Sequence, residues 1–298
     1  MTTPARRRAA SRLLRAPLLA LPAAFAVPVA AQTLPTPNEQ TTQPRDTLPK
    51  WEAGVLFAGL TLPDYPASDE YRTIVVPVPY FVYRGRTLRS SEEEGSRLRQ
   101  KLAPNVEIDV SGGGALSSDS NGSKARRGMP DLDYLVELGP NLRLSYDGPR
   151  PHSQIVVNLP LRAVVSLGSG VDWQGVLFAP ELAYISERFL GGRLSLRGSL
   201  SSEFSSTQLQ RYFYGVAPRY ATAERPAYQA DAGYLGSSLG LRASYAFTPT
   251  IDGFIGLRWY NHAGAANADS PLFRNENGYS ATLGVSWSFW ESKEMAED

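Results

Sequence analysis

Near the end of the chain, residues 278–290 read GYSATLGVSWSFW. Successive side chains of a strand point to opposite faces. Tyr279, Ala281, Leu283, Val285, Trp287 and Phe289 therefore share one face, and Ser280, Thr282, Gly284, Ser286 and Ser288 share the other. One face is wholly apolar and ends in aromatics, as expected where a strand leaves hydrocarbon for the headgroup layer. An edge strand of a soluble β-sandwich also alternates, so this segment leaves two classes open.

Length separates them. The same period-two pattern recurs in Ile155–Leu167, Leu194–Phe204, Leu239–Phe247 and Ile251–Trp259, in each case over most of the strand. Asp131 to Asp147 keeps one parity across Gly139-Pro140, which reads as a bulge or kink inside one long strand rather than a turn. Soluble strands average about 5–6 residues, whereas about 9–11 cross a bilayer at a tilt. The pattern predicts an all-β protein, a transmembrane antiparallel β-barrel of 12 strands, with 10 as the alternative if the weak pair at 86–91 and 97–102 is dropped.

The expected strands are 51–60, 74–83, 86–91, 97–102, 105–115, 132–147, 154–167, 176–188, 193–206, 234–247, 250–261 and 279–290. If the chain starts in the periplasm, the long connections (61–73, 116–131, 168–175, 207–233 and 262–278, with the shorter 92–96) share the outer side. The connections at 84–85, 103–104, 148–153, 189–192 and 248–249 are short and share the other, the usual asymmetry of outer-membrane barrels. The last strand is expected to close the barrel against Trp51–Leu60.

Composition agrees. Among 298 residues are 26 Gly, 15 Tyr and no Cys, which removes disulfide scaffolds and thiolate metal sites. Beyond the N-terminal region no apolar run approaches the roughly 18 residues that a membrane-spanning helix needs. Residues 1–31 read as a signal peptide: Arg6, Arg7, Arg8, Arg12 and Arg15, an apolar stretch from Ala16 to Val29, then small residues before Gln32. Removing those five arginines takes the net charge from +1 to about −4, which argues against a nucleic-acid partner. Residues 32–50, with four prolines, read as a disordered periplasmic leader, 51–290 as the barrel, and 291–298 as a short tail.

Four sets of residues resemble the MipA/OmpV family, the MltA-interacting outer-membrane proteins of Gram-negative bacteria. They are Pro63-Asp64-Tyr65-Pro66-Ala67-Ser68-Asp69 leading through 75–80 to Tyr83-Arg84-Gly85; Arg127-Gly128-Met129-Pro130-Asp131-Leu132 with Glu137-Leu138-Gly139-Pro140; Tyr212-Phe213-Tyr214-Gly215-Val216 with Arg225-Pro226-Ala227-Tyr228; and Asp269-Ser270-Pro271-Leu272. The resemblance implies an outer-membrane barrel. For some members it also implies a scaffold linking a lytic transglycosylase to a murein synthase, and for others an adhesin or a porin-like protein. The chain departs from the pattern by continuing past the terminal aromatics Phe289-Trp290.

No cofactor, metal or catalytic residue is assigned. Of the two histidines, His152 sits in a short turn, and His262 ends a strand near Asp269 and Ser270. An outer-leaflet lipid hydrolase would need an oriented His–Ser pair at that height, but no nucleophile motif surrounds Ser270. Glu92-Glu93-Glu94, and Asp119 with Asn121, lack the ligand spacing of a calcium loop, and Gly112–Gly114 lacks the lysine of a phosphate loop. The charges of opposite parity are more informative: Glu107, Asp109, Asp133, Glu137, Arg143, Arg162, Glu181, Arg193, Arg197, Glu203, Arg242, Asp252 and Arg258 are expected to face inward. Mixed signs predict an internally paired lumen rather than a ring selecting one ion. Three functions are expected to compete: the non-enzymatic scaffold of the cell envelope that the resemblance implies, with outer-membrane lipid and murein-synthesis or hydrolysis proteins as partners; a small diffusion pore, from the polar lumen; and an outer-leaflet lipid enzyme. The sequence sets no oligomeric state.

Overall fold

The computed structural model describes residues 49–84, 88–91, 95–98 and 100–294. The expected signal peptide, the leader up to residue 48 and the last four residues of the tail lie outside the described residues. Among the described residues there are fourteen strands: β1 (Trp51–Pro63), β2 (Tyr71–Arg84), β3 (Leu88–Ser91), β4 (Gly95–Leu98), β5 (Gln100–Ala103), β6 (Val106–Ala115), β7 (Tyr134–Asp147), β8 (Ser153–Leu167), β9 (Val171–Phe178), β10 (Glu181–Phe189), β11 (Leu194–Ser205), β12 (Gly233–Thr248), β13 (Ile251–Asn261) and β14 (Asn277–Glu291). The long connection from β11 to β12 holds an α-helix, α1 (Thr207–Tyr214), and a single 3-10 turn (Pro218–Tyr220).

Pairing runs β4-β3-β2-β1-β14-β13-β12-β11-β10-β8-β7-β6-β5, all antiparallel. β9 and β10 both lie between β8 and β11, so they are one stave interrupted at Ala179-Pro180. The backbone bridges that break: the Ala179 N–H donates to the Pro160 carbonyl (3.3 Å) and the Ser202 N–H to the Pro180 carbonyl (3.1 Å). β4 and β5 flank residue 99, one pairing with β3 and the other with β6, and β4 also lies against β6, which brings the two ends of the path together. The fourteen strands thus form 12 staves of a closed antiparallel barrel. The stretch read from sequence as one strand over 176–188 is the interrupted stave, because a proline supplies no ladder N–H.

The seam between β1 and β14 is the one expected, with Val55 opposite Trp287, Gly59 opposite Leu283 and Thr61 opposite Ala281. It runs on past the aromatics. Ser292 donates its N–H to the Trp51 carbonyl (2.8 Å), Lys50 donates its N–H to the Glu294 carbonyl (2.7 Å), and the two side chains form an ion pair at 3.0 Å.

Facing follows parity. Tyr279, Leu283, Val285, Trp287 and Phe289 are exposed on the outside, whereas Ser280, Gly284, Ser286 and Ser288 are buried inside. The outward band is apolar at mid-height, with Phe57, Val75, Leu138, Leu161, Leu182, Leu200, Leu241, Leu257 and Leu283. Aromatics ring it at both ends. Trp51, Phe81, Tyr146, Phe247 and Trp290 lie toward the short turns, and Tyr71, Tyr134, Trp173, Trp259 and Tyr279 toward the long connections. Such girdles mark the two interfaces of a bilayer.

Inside, Glu137 pairs with Arg162 at 3.1 Å and Glu181 with Arg197 at 2.6 Å. Arg162 Nε also donates to Ser111 (2.7 Å), and Asn158 joins Asn141 to Glu181. The inward face is not polar throughout, however: Leu56, Ala58, Tyr80 and Phe254 form an apolar cluster within the barrel. The Phe254 ring lies over Gly284, where an added Cβ would meet it at 2.2 Å, so the inward glycine of the last strand is needed for ring packing. Gly139 sits within one continuous β7, as expected, but the register to β6 and β8 runs through it without the expected bulge; a Cβ there would lie 2.0 Å from the Leu161 carbonyl oxygen.

The facing yields a direct prediction. Leu283→Arg places a guanidinium in mid-membrane hydrocarbon, at a cost of about 2–4 kcal/mol, and should impair assembly. Ser286→Arg points into the lumen and should be tolerated far better. Heat-modifiable gel mobility after folding into lipid vesicles separates the two, and a folded Leu283→Arg beside an unfolded Ser286→Arg would reverse the facing.

Candidate functional site: the sealed end of the barrel

The long connections fold over one mouth of the barrel and pack on each other. Residues 64–70, 116–133, 206–232 and 262–276 together contribute most of the largest buried apolar cluster, which includes Tyr65, Met129, Leu132, Leu209, Phe213, Tyr214, Val216 and Leu272. Tyr214 and Leu272 are fully buried at 0% exposure, which makes this a packed core rather than a loose fringe of loops. Helix α1 presents Leu209 and Phe213 to it from one face, at the i, i+4 spacing that puts two side chains together. Gln210, also buried, accepts from Asn267 Nδ2 (2.9 Å).

Buried polar groups sew the four connections together. The Tyr65 hydroxyl donates to the Leu272 carbonyl (2.8 Å), and the Tyr214 hydroxyl donates to the Pro66 carbonyl (3.1 Å). Arg126, 3% exposed, reaches the Phe213 carbonyl (3.1 Å) and the Pro130 carbonyl (3.3 Å). Arg225 donates to the carbonyls of Ala125, Arg127 and Tyr220 at 2.8–3.2 Å. Each guanidinium thus satisfies loop carbonyls that have no ladder partner, the accounting that buried irregular backbone demands.

The two residues weighed for catalysis lie inside this cap and are committed elsewhere. His262 Nε2 accepts the Ala67 N–H (3.2 Å), so Nδ1 carries the proton and donates to the Leu235 carbonyl (2.8 Å). The ring stacks on Tyr260 and meets Phe273 edge-on, with Gly236 directly beneath it. Ser270 Oγ donates to the Tyr214 carbonyl (2.8 Å). His262 and Ser270 therefore each brace backbone, and neither holds the other. His152 stands at the opposite end, in the turn between β7 and β8 with a φ of 57°, its carbonyl accepting the Glu187 N–H (3.0 Å).

Below the cap is a partly enclosed cavity of about 90 Å³, walled largely by Leu132, Leu135, Leu177, Leu209, Phe213 and Leu235. Asp64, Arg72, Asp133, Glu137 and Glu203 also line it. Arg72 donates to the carbonyls of Leu116 and Ser117 and lies 3.8 Å from Asp64. Burial raises the Asp64 carboxyl above its ordinary value, against the opposing pull of Arg72. Asp133, expected on a strand, sits at the rim just before β7. Among the described residues no group of three or more His, Cys, Asp or Glu side chains is arranged to hold a metal ion.

Girdles, staves and a mouth covered by packed connections define an outer-membrane β-barrel protein. The model of the MltA-interacting protein MipA family matches residues 55–289, and the chain belongs to that family, whose place is the outer membrane of Gram-negative bacteria. The stretches carrying the resemblance at 63–69, 127–132, 212–216, 225–228 and 269–272 all meet in the cap. Among solved structures, the chain is similar to an outer membrane channel from Pseudomonas putida F1 (12% identity, 85% of this chain and 99% of that one, TM-score 0.47). It is also similar to a bacterial polysaccharide outer membrane secretin (10%, 83% and 100%, 0.39) and to outer membrane phospholipase A from Escherichia coli (12%, 82% and 95%, 0.31). No curated protein matches the sequence. At these identities no activity passes from those proteins to this chain.

His262 gives the cap a pH dependence. Burial, the larger cause, holds its pKa below the ordinary value, opposed by its bond to Leu235. The unfolded chain then binds the proton more readily, so the stabilisation is present above the ordinary imidazole range near pH 6.5 and is lost as pH falls through the lower folded value. Protection of the Ala67 amide from hydrogen exchange, corrected for intrinsic rate, should fall between about pH 7.5 and pH 5 in wild type. In His262→Ala it should be weaker by about 1–3 kcal/mol and lose most of that pH dependence. Unchanged protection in both proteins would contradict the bracing role.

Proposed function

We propose that this protein is a non-enzymatic scaffold of the cell envelope: a sealed barrel anchored in outer-membrane lipid that presents its periplasmic rim to murein-hydrolysing and murein-synthesising enzymes. The observation that carries this reading is the cap. A solute path would have to cross the packed core of Tyr214, Leu209, Phe213 and Leu272 and then the paired side chains of the lumen. The family's description as MltA-interacting supports a murein enzyme as partner in general terms. The commitment of His262 and Ser270 to backbone supports a role without catalysis.

On this reading the partner surface is the periplasmic rim. It comprises the turns at 103–105, 148–153, 189–192 and 248–250 and the flanks of β1 and β14 joined by Lys50 and Glu294. Leu190 projects there at 71% exposure, and Pro149 to His152 form a stiff exposed turn. The same face carries Asp147, Arg150 and Glu294, charges able to set the register of a docked partner.

Two measurements test this. Planar-bilayer recordings of the refolded protein should show no discrete conductance steps, whereas reproducible steps in wild type would favour a diffusion pore. Photo-crosslinkers at residues 150 and 190 should capture a murein enzyme from intact membranes, while one at residue 221, on the cap, should not. Capture from the cap alone would place the partner outside the cell and favour an adhesin.

A further inference from the structure

The cavity beneath the cap combines apolar walls with an unclaimed acid. Glu203, on β11, is half-buried within the barrel and lines the cavity. Its carboxylate makes no hydrogen bond or salt bridge among the described residues. Two guanidiniums attract Glu203 without touching it: Arg162, held by Glu137 and Ser111, and Arg258, whose bond is to Ser238 (3.0 Å). Glu137, the other acid at this level, has Arg162 as its partner. Asp64 has Arg72 nearby.

An enclosed carboxylate without a hydrogen-bond donor is costly, and the cost is relieved by a donor that brings positive charge. Among the residues that line the cavity, the carboxylates of Asp64, Asp133, Glu137 and Glu203 face the guanidinium of Arg72, with Arg162 and Arg258 close to Glu203 outside the lining. The remaining wall is leucine and phenylalanine, which favours an alkyl body. A dry cavity of ~150 Å³ takes up benzene, so about 90 Å³ suits a chain of roughly four carbons.

We propose that this cavity is a binding site for a small primary ammonium compound with a short apolar body, its cationic head on Glu203 and its chain among Leu135, Leu177, Leu209 and Phe213. The site is independent of the scaffold reading, because it lies under the cap and not at the periplasmic rim.

The test uses the full chain refolded in detergent micelles and titrated calorimetrically with n-butylammonium, n-butanol and butyrate. Butylammonium should bind, butanol more weakly, and butyrate not at all. Glu203→Gln, which keeps shape and removes charge, should weaken butylammonium about tenfold or more while keeping its heat-modifiable mobility. Ala115→Leu keeps the charge but fills part of the cavity, and it should also weaken binding. It carries the test if Glu203→Gln fails to fold. No binding to wild type, equal affinity for butyrate or butanol, or unchanged affinity in whichever variant folds would overturn the proposal.

Discussion

In hydrocarbon no water is present to satisfy a backbone N–H or C=O, so every one of them must find a partner within the protein. That constraint shapes this chain from end to end. It forces the first and last strands together along the β1–β14 seam, and it explains why pairing continues to Lys50 and Glu294 instead of stopping at the aromatics. It also explains how proline survives in mid-barrel. At Pro160 and Pro180 the ring nitrogen has no hydrogen to donate, and pairing with the neighbouring stave is kept through each residue's own carbonyl.

The same demand continues above the membrane. Four connections too irregular for ladders are buried over the barrel mouth, so their carbonyls need donors from side chains. Arg126, Arg225, Tyr65, Tyr214 and Ser270 supply them. His262 works in both directions, accepting from Ala67 and donating to Leu235. Ala67 has a left-handed φ of 60° and is held in place by its bonds to His262, Arg274 and Asn275. A β-carbon residue in that region needs such support. The family-like stretches at 63–69, 127–132, 212–216, 225–228 and 269–272 thus form one packed object assembled from distant parts of the chain, whereas those at 75–80 and 137–140 lie in β2 and β7.

Much of this was legible in the sequence. The facing of Tyr279 to Phe289, the seam partner, the 12 staves and the sorting of most long from short connections follow from local alternation and loop length; the exception is 168–175, which shrinks to three residues because β9 already starts at Val171. The cap was not legible, because its defining contacts join residues such as 65 to 272 and 126 to 213, and no local pattern encodes those. Helix α1 spans only two turns, and its sole sequence signal, Leu209 and Phe213 four apart, sits among loop residues. Alternation also misses the apolar interior: Leu56, Ala58 and Leu60 alternate with Val55, Phe57 and Gly59, so both faces of β1 look alike until neighbouring strands are placed. The candidate catalytic pair at His262 and Ser270 was read from nearness in sequence. In the fold each has a nearer backbone partner, because irregular buried backbone competes strongly for side-chain hydrogen bonds.

The account rests on the last strand lying in lipid with its odd-numbered residues outward. The most direct test places single nitroxide-labelled cysteines at positions 279–289 in turn, which the cysteine-free chain permits without background labelling. Collision rates with oxygen, which concentrates in hydrocarbon, are then measured in reconstituted vesicles. The expected result is a period-two profile with maxima at 281, 283, 285 and 287 and minima at 282, 284 and 286. A profile with maxima at the even positions, or one in which both parities respond alike to a water-soluble relaxer, would contradict it.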